Sequence, residues 1–265
     1  MQQTQKKSSV SIVIPVYNEE RCLAACLDSI AQQTVMPDEV IVVDNNSTDR
    51  TVHIAEQYPF VRVIYEPQQG RVYARDAGFN AAHTDIIGRI DADTVLPKKW
   101  VAYVADFYTD PAHLHNVWTG GGYFYNTSIG NLLGWWQGQI AYRVNRLLMG
   151  HYILWGSNMA IPRAIWQQVR TEVCHRNDIH EDLDLAIHIH RMKYDITYHE
   201  GLKVGVEMRR VLANRRELWE NLQWWPRTLR VHQNRMWLFG FVGALCLYSM
   251  WPLLWIVEKI SRVAT

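Results

Sequence analysis

The strongest constraint on this chain is a rhythm in its first ninety residues. Four short apolar runs, "VSIVIPV" (10–16), "EVIVVD" (39–44), "VRVIYE" (61–66) and "DIIGRI" (85–90), have strand length and are rich in β-branched residues. The stretches between them carry helical spacing. From Glu19 to Gln33, Cys22, Leu23, Cys26, Leu27 and Ile30 fall on one face, "STDRTVHIAEQY" reads as a capped helix, and Arg71–Ala82 as a third. A helix that carries the chain back to the start of the next strand makes neighbouring strands parallel, so the pattern predicts βαβ units and a largely parallel sheet. Such sheets bind ligands at the carboxyl ends of their strands. Those ends here read Tyr17-Asn18-Glu19, Asp44-Asn45-Asn46, Glu66 and Asp91-Ala92-Asp93. Polar and acidic groups therefore converge on one edge.

That edge excludes some chemistry. The turn after the first strand is "PVYNEE", not the glycine loop of a dinucleotide site, and neither a P-loop nor HExxH occurs. A diphosphate bound among acids must be neutralised, and a divalent cation held by Asp91 and Asp93 is the obvious agent. Turn and helix capping before Pro97 is the alternative for an isolated DxD, and the acids at neighbouring strand ends weigh against it. A second acidic cluster is "NDIHEDLDLAIHIHR". Asp178 followed by Glu181 resembles a capping box, whereas Asp182, next to Glu181, has a like-charged neighbour that would raise its pKa into the range of a general base. His188 and His190 are two apart, do not share a helical face, and make a poor metal pair. "GGGY" at 120–123 fits either a close backbone approach to a ligand or a kinked strand.

Taken in order, "SIVIPVYNEE", "VIVVDNNSTDRT", "GRVYARDAGF", "RIDADTVLP", "GSNMAIPR" and "HEDLDL" resemble the motifs of family 2 glycosyltransferases, from about Val10 to about Arg210. The resemblance implies a GT-A fold, an α/β architecture with a mostly parallel central sheet, and a metal-dependent, inverting single displacement on a nucleotide-diphosphosugar. By position it implies that Pro15, Tyr17 and Glu19 flank the nucleotide base, with Asp44 and Asn45 in the base-recognition loop. Asp91 would serve the ribose or the metal, Asp93 the metal (Mn2+ or Mg2+), and His199 a further metal position, or else simply a strand end. Gly156 and Ser157 would lie by the donor phosphates and sugar, and Arg75, a further donor-binding position, resembles the arginine of the family's "ARN" element, with Asp76 where the Asn usually stands. Asp182 would be the base, with Glu181 beside it. Asn45 stands where many relatives have a second Asp, which leaves UDP and GDP both open.

The chain's net charge is +1, which does not suggest a nucleic-acid partner. It is unevenly spread: Gly201–Thr265 holds 10 Lys/Arg against 4 Asp/Glu and half of the tryptophans, while the remainder holds 17 against 22. "NRRELWENLQWWPRTLRVH" places Leu218, Leu222, Trp225 and Leu229 on one stripe flanked by Arg, which fits an interfacial helix or an ordinary packed one. "MWLFGFVGALCLYSMWPLLWIV" carries no charge and is long enough to span a bilayer or, with Pro252, to lie in its plane. We expect a catalytic domain at 1–212 and C-terminal membrane-associating helices at 213–265. A membrane-held enzyme with its catalytic domain on the cytoplasmic face suggests a lipid acceptor such as polyprenyl phosphate, paired with Arg209 and Arg210. A soluble glycan acceptor is the rival, and a non-catalytic binding module a weaker one. The four cysteines show neither CxxC pairing nor zinc spacing and fit reduced thiols. The polar N-terminus "MQQTQKKSSV" lacks an apolar signal core.

Overall fold

The computed structural model describes residues 7–127, 130–136, 142–207 and 215–263, the side chains of 217, 250, 251 and 253–263 excepted. Arg209 and Arg210 lie outside the described residues. The expected alternation is present: β1 (Val10–Val16), α1 (Leu23–Ala31), β2 (Glu39–Asp44), α2 (Thr51–Glu56), β3 (Val61–Tyr65), α3 (Arg71–Ala81) and β4 (Ile86–Arg89). There follow β5 (Thr94–Val95), α4 (Trp100–Phe107), β6 (Asn116–Phe124), α5 (Gly130–Trp136), α6 (Arg143–Met149), β7 (Met159–Pro162), α7 (Arg163–Val169), α8 (Glu181–Arg191) and β8 (Asp195–Val206). Two further helices close the chain, α9 (Arg215–Val231) and α10 (Trp237–Val263).

The sheet runs β3-β2-β1-β4-β7-β6-β8-β5. The first four strands are parallel throughout, as predicted, and place the ends of β1 to β4 on one edge. The rest is mixed, because β7 runs antiparallel to both β4 and β6, and β5 antiparallel to β8. Both faces of the sheet are covered. Along β1, Ile12, Ile14 and Val16 pack with Leu23, Leu27 and Trp100 on one side, while Val13 packs with Phe79, Trp166 and Leu185 on the other. Period-two alternation thus sorts apolar residues into two cores, which is why β1 is apolar at nearly every position.

Three local expectations need adjustment. The first helix begins at Leu23, because the carbonyl of Glu19 accepts the amides of both Cys22 and Leu23 in a preceding turn. The glycines at 120–122 belong to a kinked strand: β6 shifts register between Gly120 and Gly122, and a Cβ on Gly120 would stand 2.4 Å from the Asn158 amide. Asp178 is not a helix cap; it pairs with Arg176 at 2.9 Å, and α8 starts without a side-chain cap.

The C-terminal helices pack on the body rather than standing apart from it. Leu229 joins Leu183 and Ile187 of α8 in a third apolar cluster, with Trp225 and Trp237 against it. Gly240 of α10 lies against Trp225 and Leu229 of α9. Among the described residues, no helix is long and apolar enough to cross a membrane. The spanning expectation for 236–257 therefore has no support there.

Candidate active site

The strand ends build the first half of the site. Left-handed turns at Asn18 (φ 54°) and Asn46 (φ 69°) follow β1 and β2, a conformation Asn tolerates better than most residues. The Asn18 side chain accepts the amide of Thr48 at 2.8 Å, tying the two turns together. Tyr17 is exposed here, Pro15 half-buried, and Glu19 buried with its amide on the Thr51 hydroxyl. Asp44 caps the turn by accepting from the Ser47 amide. Asn45 is buried and its amide is committed to the next loop. It donates to the carbonyls of Glu66 and Gln68 and accepts from the amide of Gly70, each at 2.8 Å. The side chain expected to read a base instead shapes the 66–70 loop, since a buried amide must satisfy both its ends.

Asp91 and Asp93 follow the end of β4. Burial pushes the Cys26 thiol of α1 up, and the Asp93 and Asp91 charges push it further. Asp91 accepts from the Ser157 hydroxyl at 2.5 Å. The end of β8 brings a third acid, Glu207, which accepts from the Cys22 thiol at 2.9 Å. Burial raises Tyr125 to about 12, with Glu207 and Asp93 among the charges that add to it. Asp91, Asp93 and Glu207 offer hard oxygen donors suited to Mn2+ or Mg2+, an ion that takes one or two carboxylates and completes its shell with phosphate oxygens. Glu207 was not singled out in the sequence, because its nearness to Asp93 depends on β8 pairing with β5.

The residue that organises the site is Arg89, the last polar residue before the DxD and a charge inside an apolar strand. It is buried and donates to three carboxylates: Asp182, Asp91 at 3.2 Å and Glu181 at 3.2 Å. Against the cost of burial, those carboxylates hold its pKa above the ordinary arginine value. Gly156 donates its amide to the other oxygen of Asp182 at 2.8 Å, and a Cβ there would sit 2.4 Å from the Arg89 guanidinium carbon. Gly156 and Ser157 therefore knit together the acids of two motifs. The one sequence signal for Arg89 was its misfit in "IIGRI".

One arginine among two buried carboxylates and the partly exposed Asp91 leaves uneven shares. Burial raises Glu181, but Arg71 and Arg89 outweigh it and hold that carboxyl well below the usual range. Its outer oxygen lies 3.7 Å from Arg71 and has no hydrogen-bond partner among the described residues. Asp182 is shifted the other way, upward, by burial and the Glu181 charge despite Arg89. Neighbouring carboxyls driven apart in this way are suited to different tasks.

Two expected residues are elsewhere. Arg75 has no exposed surface; it pairs with Asp76 and donates to the Glu181 carbonyl at 3.1 Å, so it positions the start of α8 and does not reach a donor. His199 lies among Tyr103, Phe107 and Trp118, with the first two rings edge-on, and pairs with Gly120, four β6 residues before Phe124, the partner of Val206. That is roughly 13 Å of strand from the DxD, too far for a shared ion. The C-terminal helix, in contrast, reaches the site: Trp224 lies under the Arg71 guanidinium at 3.9 Å, and Thr228 accepts the amide of His180 at 2.8 Å.

The glycosyl transferase family 2 profile matches residues 11–170. An uncharacterized glycosyltransferase of Bacillus subtilis, EpsJ, is 39% identical over 88 residues, which make up 32% of this chain and 26% of that protein. The glycosyltransferase GlyA of Streptococcus pneumoniae is 32% identical over 128 residues, 44% of this chain and 18% of that protein. The matched segments thus span about a quarter or less of these relatives. The mannosyltransferase PcManGT of Pyrobaculum calidifontis, solved in complex with GDP-Man and Mn2+, superposes with a TM-score of 0.66 at 19% identity, over 98% of this chain and 75% of that one. S. aureus TarS 1–349 with UDP-GlcNAc gives 0.57 at 18% identity, over 83% and 66%. At such identities the likeness establishes a GT-A-like fold and no more.

Proposed function

The chain belongs to glycosyl transferase family 2, and from that premise we propose that it moves a sugar from a UDP- or GDP-linked donor to a membrane-held acceptor, with inversion. The observation that carries the reading is the buried Arg89, which joins the partly exposed DxD acid Asp91 to the buried Glu181–Asp182 pair in one charge cluster. Tyr17, Asp44 and the 66–70 loop form the nucleotide end. Asp91, Asp93 and Glu207 would hold a divalent ion, which when bound neutralises the donor diphosphate and stabilises the departing nucleoside diphosphate. Asp182 takes the proton from an acceptor hydroxyl. The acceptor oxygen bonds to the anomeric carbon as the bond to the diphosphate breaks, and the electron pair leaves with the nucleoside diphosphate. Where the acceptor is already a phosphate, Asp182 orients it instead.

Support for a membrane acceptor comes from exposed apolar side chains on three helices. Leu132 and Trp135 on α5, Leu147 and Leu148 on α6, and Phe239 and Val242 on α10 all face outward. A set this size, beside the basic Arg143 and Arg146, suits an in-plane seat on anionic lipid, with the active site on the cytoplasmic face. A soluble glycan is the second reading, favoured by the lack of a crossing helix among the described residues.

The test is nucleoside diphosphate release from UDP- and GDP-sugars with Mn2+, comparing polyprenyl phosphate in anionic vesicles with soluble glycans. Lipid-stimulated, metal-dependent release that Asp93→Asn abolishes without loss of fold is expected. Stimulation by soluble glycans alone would move the acceptor off the membrane, and metal-independent turnover would remove the ion from Asp93.

A further inference from the structure

Four side chains on the far side of α8 converge without a part in the transfer reaction. Asp184 and His188 stand one helical turn apart on α8, Cys174 lies in the loop after α7, and His232 follows the last turn of α9. Their ligating atoms all lie within 4.8 Å of one another, and among the described residues this is the one group of three or more His, Cys, Asp or Glu side chains so arranged. Asp184 Oδ1 is 2.7 Å from His232 Nε2 and 3.5 Å from His188 Nε2, and the Cys174 sulfur is 4.0 Å from that same His188 nitrogen. Asp184, His188 and His232 are buried. The backbone amide of Cys174 donates to the second oxygen of Asp184 at 2.9 Å, which fixes the carboxylate and turns Oδ1 toward the two imidazoles.

We propose that Cys174, Asp184, His188 and His232 bind a structural zinc ion that fastens α9 to α8. Two imidazoles, one thiolate and one carboxylate make a four-donor set of the kind closed tetrahedral zinc sites use, and the sulfur disfavours Mg2+ and Mn2+. Binding releases the Cys174 thiol proton to solvent. The ion's two positive charges then meet one thiolate and one carboxylate, so the buried site is neutral. The alternative is a network of hydrogen bonds alone, with His232 on Asp184 Oδ1 and the Cys174 thiol between Asp184 and His188; a zinc ion would instead take all four donors at once. The ligands come from three separate segments, so the ion would hold the hairpin of α9 and α10 onto the helix that opens with Glu181 and Asp182. The site shares no residue with the DxD edge, so it stands or falls apart from the proposed transfer reaction.

The full chain, purified without chelators, is dialysed against trace Zn2+ or Mn2+ and its metal content measured by mass spectrometry. A parallel sample loaded with Co2+ is read for the thiolate-to-cobalt charge-transfer band. One tightly held zinc per chain is expected, with manganese failing to displace it and the cobalt band present. Cys174→Ser should abolish that band, and His232→Gln should weaken zinc binding by more than the roughly 10–100-fold that loss of an outer-shell partner costs. Zinc should also raise the thermal midpoint of the wild type and leave that of the His232→Gln protein unmoved. A cobalt band that survives Cys174→Ser, or a wild type that holds no zinc, overturns the assignment.

Discussion

Asp182 and Asp184 stand two residues apart on α8, both buried, and their surroundings push them in opposite directions. Positions i and i+2 face away from each other on a helix, so one looks into the transferase site and the other into the seam with α9. Asp182 shares Arg89 with two other carboxylates, and burial with the Glu181 charge raises it. Burial also works to raise Asp184. There, bonds from His188, His232 and the Cys174 amide outweigh it and hold the carboxyl well below the usual range. Crowded by like charge, a buried carboxylate becomes a base; surrounded by donors, it becomes a fastening. Residue type and burial are the same in both cases, so the neighbours alone decide.

The comparison breaks most visibly in the kinetics. Asp182→Asn should lower kcat by about 10²–10⁴ and change donor affinity little, because a base acts in the transition state. Stability should hold or rise, since an uncompensated negative charge leaves the cluster. Steady-state kinetics with an unfolding curve check both. A Glu181→Gln protein more crippled than Asp182→Asn would reverse the two roles.

Next in size is Arg89→Gln, which leaves the buried Glu181 and Asp182 without their common partner and should cost about 3–5 kcal/mol of stability. It also sharpens the pH argument. A base works when ionised, so activity is lost as pH falls through its pKa, and for Asp182 that loss lies above the ordinary value near 3.9. Removing the opposing Arg89 charge should move the acid limb higher still. A pH–rate profile whose limb moves down, or not at all, would show that Arg89 does not govern Asp182.

The smallest effect belongs to Asp184→Asn. In metal-free protein it should cost about 1.5–3 kcal/mol, the scale of hydrogen bonds to a charged group, and leave kcat within a few-fold once the protein is folded. Chemical denaturation and kinetics on the same preparation measure the two together. A large kcat loss with unchanged stability would erase the distinction between the faces of this helix.

Much of this molecule was legible in its sequence because it depends on local periodicity. The spacing of β-branched runs fixed β1 to β4 and their parallel pairing, and with them the edge where Asp44, Asp91 and Asp93 collect. A 3.6-residue period fixed the buried face of α1. The acid pair at the start of α8 also stood out, as like charges side by side need a reason. Tertiary structure decided which partners these residues meet. Arg89 reads as a lone misfit in a strand until Asp182, ninety-three residues away, is folded against it. Arg75 reads as a ligand until packing seals it under α8, and His199 as a metal ligand until β8 carries it down among aromatic rings. By spacing His188 invites comparison with His190, two residues along, but its partners are Asp184 one turn back and His232 just past the end of α9. Local patterns record the periodicity of a helix or strand, but charges and ligands act across a few ångströms of space, and only the closed chain sets which of them are neighbours.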